Sequence, residues 1–199
     1  MNFLAHAALG RHSESLLVGG FLGEFLRGRI GRLEPAELRA GIWLHRRVDS
    51  YTDAHARTLR SRRRFDAPRR RVAGIAVDII YDHFLAKHWS RFAEPPLGEF
   101  AQEAYAMLQR RASHFPPRAR RVLGLLVDEN WFEAYADRLS LERTLVRVST
   151  RAEWLAPLAL TVVDLEREYD ELEGDFLAFY PDLDAFTVTL LAQCPATFE

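Results

Sequence analysis

An all-α domain is what this sequence predicts. Apolar residues recur with a helical period along almost the whole chain, no stretch alternates as a half-buried strand does, and prolines punctuate the periodic segments. Ser13 and Ser15 precede Leu16, Leu17, Phe21, Leu22, Phe25 and Leu26, a spacing that suits a helix with one buried face. Pro35, followed by Ala36, Leu38, Ile42, Trp43 and Leu44, opens a second helix at an early position where its missing N–H costs little. From Arg69 to Trp89 the positions Val72, Ile75, Ala76, Ile79, Ile80 and Leu85 keep the period of about 3.6 residues. Further helices are expected over 97–113, 117–136, 140–149 and 152–180, separated by Pro95-Pro96, Pro116-Pro117 and Pro181. The expectation is a single-domain helical bundle over residues 1–199, with seven to nine helices.

The 199 residues, 48% apolar and 28% charged, are long enough to bury a sizeable core and exclude disordered and fibrous classes. No apolar run reaches the roughly 18 residues of a membrane span. MNFLAHAALG has no basic n-region and no clear cleavage site, so a cytoplasmic protein is expected. A lone Cys194 excludes an intramolecular disulfide and a Cys-based zinc site. The net charge of -1 hides an asymmetry: residues 1–72 hold fifteen Arg against seven acids, and residues 161–184 hold nine acids against one Arg. Either that bipolarity steers a charged partner, or the two regions neutralise each other across the fold.

Candidate chemistry gathers around histidines and carboxylates. His45 and Asp49, in HRRVD, are four apart and reach one site from one helix face. Asp78 and Asp82, in DIIYDH, repeat that spacing, with His83 directly after. Imidazole with carboxylate oxygens is a ligand set for Mn²⁺, Mg²⁺, Fe²⁺ or Zn²⁺, and the lack of thiolates favours the harder ions. His6, in FLAHAALG, and Glu24, in GGFLGEFLRG, are further candidates. Bland readings stand beside these. A lone His in an apolar segment is more often a satisfied core residue, and Glu24–Arg27 and Arg46–Asp49 suit ordinary surface pairs. Asp78 and Asp82 interrupt an otherwise apolar helix, where two like charges one turn apart need a cation or an Arg between them. The residues leave a metal site and an Arg-satisfied structural cluster both open. Eight arginines from Arg57 to Arg71 form either a solvated face or a landing surface for an acidic partner; without interleaved aromatics, nucleic acid is not the expected one.

MNFLAHAAL, GGFLGEFLRGR, GIWLHRRVDSYTD, RRRVAGIAVDIIYDHFLAKHW and VVDLEREYDELEGDFLAFYP together resemble the bacterial acyl-carrier-protein phosphodiesterases, in the same order across almost the whole chain. The resemblance implies an all-α fold distantly related to HD-type phosphohydrolases. It implies hydrolysis, with Mn²⁺ or Mg²⁺, of the phosphodiester joining 4′-phosphopantetheine to a serine of holo-acyl carrier protein. The family's polar set falls on His6, His45, Asp49, Asp78, Asp82 and His83, and its paired arginines on Arg46 and Arg47. Glu24 departs from the pattern, since the family usually has Asp there.

The expected mechanism is metal-assisted hydrolysis, with His45, Asp49, Asp78 and Asp82 as ligands and Mn²⁺, Mg²⁺ or Fe²⁺ as the ion. Arg46 or Arg47 neutralises a phosphoryl oxygen, Glu24 accepts the proton of the attacking water, and His6 or His83 protonates the departing serine. The carrier protein, acidic and helical, is expected to dock on Arg62, Arg63, Arg64, Arg69, Arg70 and Arg71, with no nucleic-acid or membrane partner. Two rivals are an HD-type nucleotide or alarmone phosphohydrolase and a non-catalytic helical module binding an acidic partner.

Overall fold

The computed structural model describes residues 1–33 and 35–198, and every regular element among them is helical. The chain runs through α1 (Phe3–Leu9), α2 (Glu14–Gly23), α3 (Arg39–Ala54), α4 (Ala56–Arg63), α5 (Ala73–Lys87), α6 (Leu97–Arg111), α7 (Pro117–Asp128), α8 (Trp131–Ala134), α9 (Arg138–Ser149) and α10 (Thr161–Ala192), with short 3-10 turns between several of them. Local chemistry sets several starts. The Ser13 side chain accepts the Leu16 N–H at 3.2 Å, Pro117 occupies the first turn of α7, and Asp137 accepts the Ser140 N–H at 2.7 Å.

Helix α5 is buried almost all round from Ile79 to Ala86, which makes it the spine of the bundle. Tyr81 and Phe84 pack against Phe176 and Phe179 of α10 through edge and tilted ring contacts. Helices α2 and α3 meet backbone to backbone. A Cβ on Gly19 would fall 2.4 Å from the Leu38 carbonyl oxygen and 2.7 Å from the Gly41 Cα, so glycine is required on both sides of this crossing.

Boundaries differ from the sequence expectation for identifiable reasons. The Ser13 helix ends at Gly23 rather than Leu26. The segments after Pro35 and Asp66 begin as 3-10 turns before α3 and α5. The span 117–136 divides where Asn130 takes a left-handed conformation, φ 43°. Helix α10 passes through Pro181 and continues to Ala192: the proline forfeits one helical hydrogen bond, and the buried Phe179, Tyr180 and Leu183 around it hold the helix together. With α1, α4 and the divided segment, the described residues carry ten α-helices, above the seven to nine expected. None is long and apolar enough to cross a membrane.

The two charged regions meet each other. Arg64 donates to Glu168, Glu171 and Asp175 of α10 at 3.0, 2.8 and 3.1 Å. Arg69 binds Asp164 and Asp66, and Arg62 binds Asp53. The expected six-arginine dock is corrected accordingly: three of its members are engaged in internal pairs, and Arg70 reaches the Phe65 carbonyl at 3.5 Å. Arg63, Arg70 and Arg71 remain exposed.

Candidate metal centre and adjoining cavity

Two helices bring three ligand-capable side chains together. On α3, His45 and Asp49 share a face, and His45 Nε2 lies 3.2 Å from Asp49 Oδ2. From α1, His6 places Nε2 3.1 Å from Asp49 Oδ1 and stacks its ring on His45 with centroids 3.9 Å apart. His6, His45 and Asp49 each offer a donor atom within 4.8 Å of the others. Both imidazoles are buried, and His45 Nδ1 has no partner among the described residues. Gly23 makes this placement possible, because a Cβ there would sit 2.4 Å from His45 Cγ.

Electrostatics prepare the three for a cation. Burial, then the neighbouring His45, push His6 down to about 4, so its ring is neutral and keeps a lone pair at pH 7. Burial works to raise Asp49, but His6 and His45 outweigh it and hold the carboxylate well below its usual range. A neutral imidazole pair with one carboxylate is a coherent ligand set for a divalent transition ion.

Asp78 and Asp82, expected as ligands, turn to the start of the chain instead. Asp78 Oδ1 lies 2.9 Å from the Met1 ammonium, which is also 3.6 Å from Asp49. Asp82 is fully buried, and its two oxygens accept the backbone N–H groups of Asn2, Leu4 and Ala5 at 3.3, 2.7 and 3.3 Å. A carboxylate from α5 therefore caps α1, whose own cap residue Asn2 makes no side-chain bond. The group that bonds Asp78 among the described residues is thus the Met1 ammonium, with the charge of Arg62 also acting on it.

Beside this cluster opens a cavity of about 480 Å³. Met1, Asp78 and Glu24 line it together with Arg118, Arg147 and Arg151, and Trp131, Trp154, Val148 and Leu155 supply apolar walls.

The family model described as acyl carrier protein phosphodiesterase matches residues 1–183. The chain belongs to the acyl carrier protein phosphodiesterase family. Proteins of that name from Serratia proteamaculans (strain 568), Klebsiella pneumoniae (strain 342) and Escherichia coli O139:H28 are 39%, 37% and 37% identical to it. These matches cover 92–93% of this chain and 95–96% of each relative. No solved structure matches the chain.

Within this member of the acyl carrier protein phosphodiesterase family, several residues expected at the site lie elsewhere. His83 lies away from the cluster: Nδ1 meets the Tyr135 carbonyl and Nε2 the Tyr169 hydroxyl, both at 2.7 Å, because it follows Asp82 around the helix and faces α8 and α10. Arg46 donates to the carbonyls of Gly28 and Leu26 and so ties down the loop after α2. Arg47 is exposed. Glu24 is exposed at the end of α2 and lines the cavity. Sequence reasoning missed the cavity arginines. Thr144, Arg147, Val148 and Arg151 at i, i+3, i+4 and i+7 were the available signal, a helix stripe that mixes cations with an apolar residue.

Proposed function

We propose that the chain hydrolyses the phosphodiester between 4′-phosphopantetheine and a serine of holo-acyl carrier protein, releasing apo-carrier protein and 4′-phosphopantetheine. The observation that carries this reading is the meeting of His6, His45 and Asp49 beside a cavity lined by both acids and arginines. The names of the relatives, matched over nearly their whole length, agree with it.

His6, His45 and Asp49 would hold one divalent ion. The mixed imidazole–carboxylate set suits Mn²⁺ or Fe²⁺ better than Mg²⁺, which prefers oxygen donors. When bound, such an ion supplies Lewis acidity toward a phosphoryl oxygen and lowers the pKa of water. The chain's own residues supply the rest. His6 stays unprotonated because it is buried, and Asp49 stays ionised between two imidazoles. Glu24, exposed at the cavity and without a hydrogen-bonded partner among the described residues, accepts the proton of the attacking water and returns it to the departing serine oxygen. The Arg46 bonds to Leu26 and Gly28 hold the segment that follows Glu24. Arg63, Arg70 and Arg71 remain available to meet an acidic carrier protein, and a carrier protein in the cytoplasm is the expected partner.

Purified protein, supplied with Mn²⁺, should convert holo-carrier protein to its apo form with release of 4′-phosphopantetheine, followed by intact mass. Nucleotides and alarmones run in parallel should stay intact. Nucleotide turnover with an unchanged carrier protein would overturn the proposal in favour of a nucleotide phosphohydrolase.

A further inference from the structure

Three guanidinium groups line the cavity without a matching number of acids. Arg118 comes from the first turn of α7, Arg147 from the last turn of α9, and Arg151 from the turn just beyond that helix. Arg118 lies over the Phe25 ring at 5.9 Å, and Arg147 lies over Trp131 at 4.5 Å with Glu129 at 2.6 Å. The aromatic faces fix the planes of these two guanidiniums; Glu129 offsets the charge of Arg147, and no acid pairs with Arg118 among the described residues. Arg147 Nε is buried with no partner, and neither Arg118 nor Arg151 pairs with an acid among the described residues. Burial, followed by the charges of Arg147 and Arg118, pulls Arg151 below its ordinary value, the mark of like charges gathered in one place. Glu129 offsets Arg147, the charge of Glu24 acts on Arg151, and Asp78 already faces the Met1 ammonium, so the three guanidiniums still outnumber the acids that act on them.

We propose that Arg118, Arg147 and Arg151 form an anion subsite that takes a phosphate ester, with the organic arm of that ester lying along Val148, Leu155 and Trp154. Three guanidiniums, of which Arg147 is shared with Glu129, suit a phosphate group, and planar guanidiniums bind its oxygens in pairs. The apolar wall continues from Arg147 and Arg151 on the same stretch of chain, so a ligand with a charged head and a long, weakly polar tail covers a surface that a free inorganic ion would leave uncovered. In identifying that ester with the 4′-phosphopantetheine moiety, the inference rests on the function proposed above. It also reassigns phosphate recognition from Arg46 and Arg47 to residues much later in the chain.

Calorimetric titration of the full chain with 4′-phosphopantetheine and with pantetheine tests the subsite directly. The phosphate ester should bind at least tenfold more tightly than pantetheine, and added salt should narrow the difference. Arg151→Gln should weaken binding of the ester at least tenfold and raise KM for holo-carrier protein more than it lowers kcat. Arg151→Lys should restore part of the binding, and both variants should melt with the wild type, since Arg151 has no structural pair to lose. Equal binding of the two ligands, or unchanged ester binding in Arg151→Gln, would overturn the subsite. If the wild type binds the ester yet never cleaves holo-carrier protein, the subsite stands and only the proposed reaction fails.

Discussion

Removing the carboxylate of Asp82 should loosen the first helix before it does anything else. The side chain is fully buried and receives three N–H groups, of which Leu4 is the closest at 2.7 Å and Asn2 is only partly buried. Asp82→Ala strands the Leu4 and Ala5 amides away from water, at about 1–3 kcal/mol each. Against this, the variant no longer buries a carboxyl group whose burial raises it to about 7. The net loss should be about 2–4 kcal/mol, or roughly 5–15 °C in melting temperature for a chain of this size. Asp82→Asn keeps one acceptor and should lose about half as much. Thermal unfolding by circular dichroism measures the loss, and hydrogen exchange at the Leu4 and Ala5 amides locates it. Because α1 also carries His6, Mn²⁺ affinity should fall in parallel. An Asp82→Ala protein that melts within 2 °C or so of the wild type, with both amides still protected, would refute the capping role. Lost metal at unchanged stability would return Asp82 to the ligand set.

The pH dependence of the metal-free protein should be flatter than either of its parts. His6, lowered to about 4, binds fewer protons folded than unfolded, so its stabilising contribution is present above about pH 6.5 and lost as pH falls toward 4; Asp82, raised to about 7, works oppositely over the same window, its contribution being lost as pH rises. Melting temperatures from pH 4.5 to 7.5 should therefore slope up with pH in Asp82→Asn and down with pH in His6→Asn; parallel slopes in both would contradict the assignment. Gly23→Ala forces a methyl group into the His45 ring and should reduce Mn²⁺ affinity at least tenfold while costing about 1–3 kcal/mol, as read by metal titration and melting. Arg64→Ala leaves the buried Asp175 short of a partner and should cost about 3 kcal/mol, whereas replacing Arg63, Arg70 and Arg71 together with Glu should leave the melting temperature within 2 °C or so and raise KM for the carrier protein.

Helical class and the larger helices follow from periodicity, because amphipathic spacing is a local property of the chain. So does the pairing of His45 with Asp49, since four residues along a helix leave little freedom. His6 joins that pair through the packing of α1 on α2 and α5, and no local signal encodes such a contact. Asp78 and Asp82 show the opposite limit. Their spacing suggests shared ligation, yet what decides their roles is a chain segment some 77–80 residues away that lies across α5. The charge asymmetry was visible at once, with both of its readings, and only the observed contacts of Arg64 and Arg69 with α10 separate them. Pro181 misled because the cost of a proline in a helix is a local quantity, whereas the burial of Phe179 and Leu183 is not.

The crossing of α2 and α3 has one more consequence. Gly19 against Gly41 and Gly23 against His45 are rungs one turn apart on the same pair of helices. The first rung is main chain on main chain, with no rotamers to relax and no flexible tip to give way. His45 is thereby hung one turn beyond a main-chain contact that cannot be loosened by degrees. Warming the protein should leave the His45–Asp49 geometry intact until the two helices part altogether, so that the centre keeps its shape up to the melting transition and then fails in a single step.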